Sequence, residues 1–253
     1  MLAELQQLGP VAEPAPAARV VDGLLLGDRP QPAGRPRVVV AMIGSADGRA
    51  TVQGRAGGLG NPADRALLRS LREACDAMLV GSATLIAERY ATLLDPEQRE
   101  RRLAQGDPPE PLMATISRGL DRRLFDVPLF AEPGTRLLVC TESQDVIPAV
   151  AADVRARRFG PGMLTARACL EHLHAEHGAR VVVSEGGPTL LRELLAERLV
   201  DDLVLTIAPK LVAGDGPSVV SGAVLEPPLP LALRAVLRGE DHLFLHYVPA
   251  GPA

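Results

Sequence analysis

The sequence predicts an α/β fold of three layers, with a mixed, mainly parallel sheet between two layers of helices. Three observations predict it. Short apolar runs of strand length recur along the chain, as expected of strands buried on both faces. Segments of helical character separate them, which points to parallel strands joined by crossover helices. Apolar residues make up 47% of the 253, yet only 2% are aromatic and Trp is absent. A core of Leu, Val, Ala and Ile suits a sheet covered by helices.

Each element follows in order. Residues 1–35 read as an N-terminal arm. Its stretch GPVAEPAPAAR at 9–19 is rich in Pro and Ala without a period, and one short helix is expected near 2–8. The body spans 36–253. The run VVVAMI at 38–43 is a buried strand, and a glycine-rich loop carries the chain to Gly60. Asn61 can cap a helix and Pro62 can open it. Leu67, Leu68, Leu71 and Cys75 supply its apolar stripe. A strand at 76–80 follows. The charged stretch 95–111 is expected to be helical in part and to end in a turn-rich loop. Further strands are expected at 112–116 and 136–140, with irregular chain over 119–135. A helix over 145–158 and a short strand at 161–164 come next. Then come a helix over 166–177, a strand at 180–184, a helix over 189–198 and a strand at 200–207. The segments 232–238 and 242–248, joined around Gly239, Glu240 and Asp241, form an antiparallel edge pair.

Composition excludes several classes. The 27 basic and 31 acidic residues give a net charge of −4, so nothing calls for a polyanionic partner. The scarcity of aromatic rings argues against single-stranded nucleic acid. Cys75, Cys140 and Cys169 are odd in number, widely spaced and set in apolar segments. They read as buried thiols of a reducing compartment. His172, His174 and His177 cluster, but 172 and 174 point to different helix faces, so no metal site is expected. No basic stretch precedes a long apolar run, and no apolar stretch approaches about 18 residues. The expectation is a cytoplasmic protein without a membrane span.

Four segments can carry chemistry. In EGGPTL, residues 185–190, Gly186 and Gly187 allow close backbone approach, and Pro188 and Thr189 open a helix whose free N–H groups can hold a phosphate. A plain strand-to-helix turn would look the same. GSAT, residues 81–84, stands likewise after a strand, with Gly81 for close approach and the hydroxyls of Ser82 and Thr84. Two such loops at comparable strand ends suggest a dinucleotide lying across them. In SADG, residues 45–48, Asp47 stands at the rim of the same face. It is either a turn-capping residue or a carboxylate that orients a polar ring and its proton. Arg65 and Arg72, seven apart, share a helix face. With Asp64, Arg69 and Glu73 they can form a solvated surface, or else hold a phosphate-bearing substrate.

These residues resemble the reductase domain of the bacterial riboflavin deaminase–reductase and its stand-alone relatives, most closely an actinobacterial-type branch. The resemblance runs from about residue 36 onward. It rests on AMIGSADGRA at 41–50, LREACDAMLVGSATL at 71–85, VVVSEGGPTLLRELL at 181–195 and LVDDLVLTIAPKLVAGDG at 199–216. It implies a dihydrofolate reductase-like fold, NADPH as cofactor and a homodimer. By similarity, Gly81, Ala83, Thr84, Glu185, Gly186, Gly187, Pro188 and Thr189 line the dinucleotide, and Thr115 and Ser117 lie near its 2′-phosphate. On the substrate side it implies Asp47. The residues themselves add Ser45, Arg65, Arg72 and Glu185 as expected substrate contacts, and the place of Asp47 at the rim makes it the expected catalytic side chain. The chain departs from the family at AERYATLLDPEQR, where an Asp-Asp-Pro-x-Leu segment with a following Arg is usual. That segment helps hold the ribose phosphate. No H-x-E with a later paired-Cys zinc signature is present, so deamination is not expected. The leading expectation is NADPH-dependent reduction of 5-amino-6-(5-phosphoribosylamino)uracil. Reduction of dihydrofolate or another pterin is the alternative enzyme, and a non-catalytic NADP-binding protein the alternative class.

Overall fold

The computed structural model describes residues 15–25 and 31–250. The helix expected near 2–8 lies outside them. Among the described residues nine strands form one sheet: β1 (Arg37–Ser45), β2 (Ala77–Gly81), β3 (Leu112–Ile116), β4 (Arg136–Thr141), β5 (Asp153–Arg158), β6 (Val181–Ser184), β7 (Asp202–Ala208), β8 (Leu231–Gly239) and β9 (His242–Pro249). Their order is β5-β4-β3-β2-β6-β1-β7-β9-β8. All pairings from β5 through β7 are parallel, and β7–β9 and β8–β9 are antiparallel. The sheet is mixed and mainly parallel, with the expected antiparallel pair at one edge.

The helices are α1 (Ala17–Val20), α2 (Pro62–Ala74), α3 (Ser82–Glu88), α4 (Pro96–Ala104), α5 (Ala166–His177) and α6 (Pro188–Ala196). Period-two burial along β1 divides the core in two. Val39 and Ala41 join one cluster with Leu67 and Leu71 of α2, Leu85 of α3 and Phe130. Val38, Val40 and Met42 join the other with Leu170 and Leu173 of α5 and Leu191 and Leu194 of α6. A strand whose alternate side chains serve two cores has no polar face, which is why 38–43 reads as continuously apolar. The layers are therefore three.

Helix α2 starts as its sequence dictates. Asn61 Oδ1 accepts the Asp64 backbone N–H at 2.9 Å, and Pro62 occupies the first turn. Leu67, Leu71 and Cys75 are buried, with Leu68 packed against them. In the arm, Val21 is buried in the same cluster, and α1 lies against α2.

Two expected elements are corrected. Residues 145–158 are not helical: 144–150 have no regular structure and 153–158 form β5. Ile147, Val150 and Val154 do pack against the core, at a spacing that imitates a helix face, but Pro148 stands between them. Arg155, Arg157 and Arg158 then mark a charged edge strand. Residues 161–164 are a turn and loop, not a strand.

Candidate active site

The carboxyl ends of β1, β2, β6 and β7 converge above the sheet. This is where open α/β sheets place ligands. A cavity of about 510 Å³ opens there, between α2, α3 and the turn after β6. Several residues singled out in the sequence line it: Arg65, Arg72, Ala83, Thr84, Glu185, Gly187 and Pro188.

The turn after β6 is built by its glycines. Gly186 has φ +72, and the Gly186–Gly187 peptide is cis. A Cβ on Gly186 would stand 2.5 Å from Met42 Sδ, and one on Gly187 would run into Thr84 Oγ1. Gly81 N–H donates to Gly186 O at 2.8 Å, so the GSAT and EGGPT loops are physically joined. Gly187 caps α6 without any side-chain hydrogen bond, and Gly81 does the same for α3. The N–H groups of two helix starts therefore face the same region without competing side chains. Thr189 lies exposed beside them.

The cavity holds two carboxyl groups of different character. Glu185 Oε1 accepts Arg72 Nε at 2.7 Å, and Oε2 accepts Arg72 Nη2 at 2.7 Å and the Tyr90 hydroxyl at 2.5 Å. Its side chain is only 7% exposed. Burial alone would raise its pKa, but the Arg72 charge and these hydrogen bonds outweigh it and hold the carboxyl below its ordinary range. Asp64, on α2, is the opposite case. It is 5% exposed and lines the same cavity. Burial holds its carboxyl above the usual range, although the Thr206 hydroxyl hydrogen-bonds it. Asp64 carries its proton more readily than Glu185 and has no ion pair among the described residues.

Of the other expected site residues, Asp47, Ser45, Thr115 and Ser117 do not line the cavity. Asp47 is exposed and does not line the cavity. Ser45 Oγ donates to its Oδ1 at 2.5 Å, and the backbone N–H groups of Val212 and Ala213 donate at 3.1 and 2.7 Å. These bonds lower its pKa to about 2. Ser45 is buried, and its Oγ also accepts Arg49 N–H. Together they clasp the loop after β1 to the loop after β7. Thr115 is fully buried, and its Oγ1 has no protein partner. Ser117 is buried, and its Oγ accepts Asp121 N–H at 3.3 Å. Arg65 is exposed at the cavity wall.

Sequence reading missed Tyr90, Asp64 and Thr206 as cavity residues. Asp64 stands at i, i+3 and i+7 from Leu67 and Leu71, which puts it on the buried face, so its spacing carried the signal. His172 and His177 stack edge to face at 5.4 Å, and His174 Nδ1 meets Ala179 O at 3.0 Å. Among the described residues no group of three or more His, Cys, Asp or Glu is placed to hold a metal, and no helix is long and apolar enough to cross a membrane.

The fold is a three-layer α/β fold with a mixed, mainly parallel sheet, shared with solved pyrimidine reductase-like structures. A family profile described as RibD C-terminal domain matches residues 36–239, and the chain belongs to that family. It is 30% identical over 197 residues to the 2,5-diamino-6-ribosylamino-4(3H)-pyrimidinone 5′-phosphate reductase of Archaeoglobus fulgidus, covering 74% of this chain and 87% of that one. The protein of the same name from Methanothermobacter thermautotrophicus is 28% identical over 235 residues, covering 86% and 100%. A pyrimidine reductase-like protein from Corynebacterium diphtheriae has a similar structure, with a TM-score of 0.73 at 24% identity over 94% of this chain and 100% of that one. The riboflavin biosynthesis reductase of Saccharomyces cerevisiae superposes with a TM-score of 0.60 at 19% identity, over 88% and 93%.

Proposed function

We propose that the protein reduces the ribosylamino group of 5-amino-6-(5-phosphoribosylamino)uracil with NADPH. One observation carries the reading: uncapped helix starts at the joined EGGPT and GSAT loops open onto a cavity that also holds two buried carboxyl groups. Backbone N–H groups at helix starts suit a pyrophosphate, and the carboxyl groups suit the N–H edges of an amino-pyrimidine. The two archaeal relatives are named for the 2,5-diamino-pyrimidinone counterpart, which carries a ribosylamino group and a 5′-phosphate as this substrate does.

The donor set fits a nicotinamide dinucleotide. The N–H groups that open α6, with Thr84 and Thr189 beside them, would hold its phosphates, and the buried Thr115 and Ser117 would support the adenosine end from within β3 and just after it. When bound, NADPH supplies a hydride to C1′ of the sugar. The ring-opened substrate presents a C1′=N double bond, and its nitrogen takes one proton as C1′ is reduced. Asp64 is the group suited to supply that proton, because burial lets it stay protonated closer to neutral pH. Glu185, kept ionised by Arg72, accepts an N–H or O–H of the substrate and orients it. Arg65 at the wall meets the phosphate.

Asp47 acts through the loops it joins. Asp47→Asn keeps one acceptor oxygen but offers an NH₂ where a second backbone N–H now donates. kcat/KM is expected to fall by about tenfold, with NADPH affinity within about twofold. Because its pKa is about 2, no limb of the pH–rate profile above pH 4 should disappear in this variant. Full activity in Asp47→Asn would remove Asp47 from the account.

The reading is tested by NADPH depletion with three substrates in parallel: the uracil compound, its 2,5-diamino-pyrimidinone counterpart and dihydrofolate. Turnover with a ribosylamino compound and none with dihydrofolate is expected. Turnover of dihydrofolate alone overturns the substrate, and tight NADPH binding without any turnover overturns the activity. In calorimetry NADPH should bind at least about tenfold more tightly than NADH, and equal affinities would defeat that preference. A homodimer is proposed as well. Leu231, Leu233 and Leu243 are exposed on the β8–β9 pair, an apolar surface of the kind partners cover.

A further inference from the structure

Tyr90 has no place in the chemistry above, yet its hydroxyl is spent inside the cavity. It follows Arg89, which closes α3 in the left-handed conformation with φ +51. After that turn Leu129 N–H donates to Tyr90 O at 2.9 Å, fixing the backbone. The ring lies against the Arg72 guanidinium, 5.4 Å from its centroid. The hydroxyl reaches Glu185 Oε2. Three elements thus meet at one carboxylate: α2 through Arg72, the turn after β6 through Glu185, and the segment after α3 through Tyr90.

A carboxylate offers about four acceptor sites, two on each oxygen. Oε2 takes two donors here and Oε1 takes one. We infer that Tyr90 is a positioning residue for the reaction: with Arg72 it fixes Glu185 in one orientation, so that Oε1 keeps a single acceptor site for one N–H or O–H of the bound substrate. Arg72 alone does not achieve this. A guanidinium grips both oxygens from one side and permits the pair to rock, whereas the Tyr90 hydroxyl, on a rigid ring with a fixed backbone, pins Oε2 from a second direction. Tyr90 therefore selects substrates that present one donor at that point. The assignment rests on the substrate reading above.

Groups of both charges face Glu185 and bear on its titration. Arg72, Asp64 and Cys75 approach from α2 and its end, and Tyr90 from the segment after α3. Glu88 of α3 bears on Tyr90 in turn. Loss of the hydroxyl removes one donor to the ionised form, so the Glu185 midpoint moves up.

The test uses Tyr90→Phe, which keeps the ring, together with Glu185→Gln and the double variant. Tyr90→Phe should retain the wild-type melting temperature within about 4 °C and NADPH affinity within about twofold, while kcat/KM falls by about tenfold. The double variant should be no worse than Glu185→Gln, since both act at one carboxylate. Carbon-13 NMR of labelled glutamate, without substrate, should show a higher Glu185 midpoint in Tyr90→Phe than in wild type. Wild-type kcat/KM with an unmoved midpoint overturns the inference, as does a double variant worse by the full Tyr90→Phe factor. If wild type turns over none of the three compounds, the substrate reading falls, and the NMR midpoint decides the role of Tyr90 by itself.

Discussion

Gly186→Ala is expected to lower NADPH affinity by about a hundredfold or more. The left-handed conformation at φ +72 costs a residue with a Cβ about 1–2 kcal/mol. The new Cβ would also stand 2.5 Å from Met42 Sδ and 3.2 Å from its Cε, at the end of β1. Met42 is packed in the core against α6 and also lines the cavity, so either its thioether swings into the space for the cofactor or the turn moves. Moving it breaks the register of Gly81 N–H on Gly186 O and displaces the first N–H groups of α6. Losing two hydrogen bonds to a charged phosphate, at about 1.5–3 kcal/mol each, corresponds to a hundredfold or more. Gly106→Ala is the control, because Gly106 has φ +85 with open space around it. It should share the backbone penalty and bind NADPH normally. Calorimetry on both variants decides, and an affinity within about threefold of wild type for Gly186→Ala would contradict this account of the loop.

Arg72→Met is expected to cost the largest share of stability of any cavity substitution, about 3–5 kcal/mol, because it strands a buried carboxylate. For a chain of this size that is a fall in Tm of roughly 6–20 °C, with reductase activity lost. The cost depends on pH. In wild type the lowered folded pKa of Glu185 contributes stability that is present above its unfolded value and lost as pH falls through the folded value. In the variant, burial acts without the countercharge and raises the pKa, so the penalty is fully present at neutral pH and shrinks as Glu185 takes up its proton. The stability gap is therefore widest near pH 7 and closes on acidification, first through the variant and then, below about pH 4.3, through wild type. Urea melts at a series of pH values measure it. The double variant Arg72→Met/Glu185→Leu should recover most of the loss. A gap that is flat with pH would show that the carboxylate is not the cause.

The sheet was legible where burial leaves one reading. VVVAMI at 38–43 cannot face water on either side, and it forms β1 between β6 and β7. The edge was less legible. At 145–158 Ile147, Val150 and Val154 imitate a helical stripe, because an edge strand and its approach bury only a few side chains and leave the arginines exposed. The site divides in the same way. Loops made by glycines at strand ends announce themselves, since only backbone geometry requires them. Side chains that meet from distant segments do not: Arg72, Tyr90 and Glu185 are brought together by the parallel order of β1, β2 and β6 and by the turn at Arg89. Arg72 reads equally as a member of a solvated helix face, and only packing shows that it turns to the cavity, whereas Asp64 shares its spacing with Leu67 and Leu71 and so could be read as buried. Asp47 shows the converse. Its position at a strand end fits a catalytic role, while its carboxylate is committed to Ser45, Val212 and Ala213.

The most direct test follows the hydrogen itself. With NADPH dideuterated at nicotinamide C4 and the phosphoribosylamino-uracil as substrate, mass spectrometry and NMR of the product locate the label whichever face of the nicotinamide is used. One deuterium on the former C1′ of the sugar, beside the nitrogen, is the predicted result. A product without deuterium, or with it on the pyrimidine ring, would contradict it.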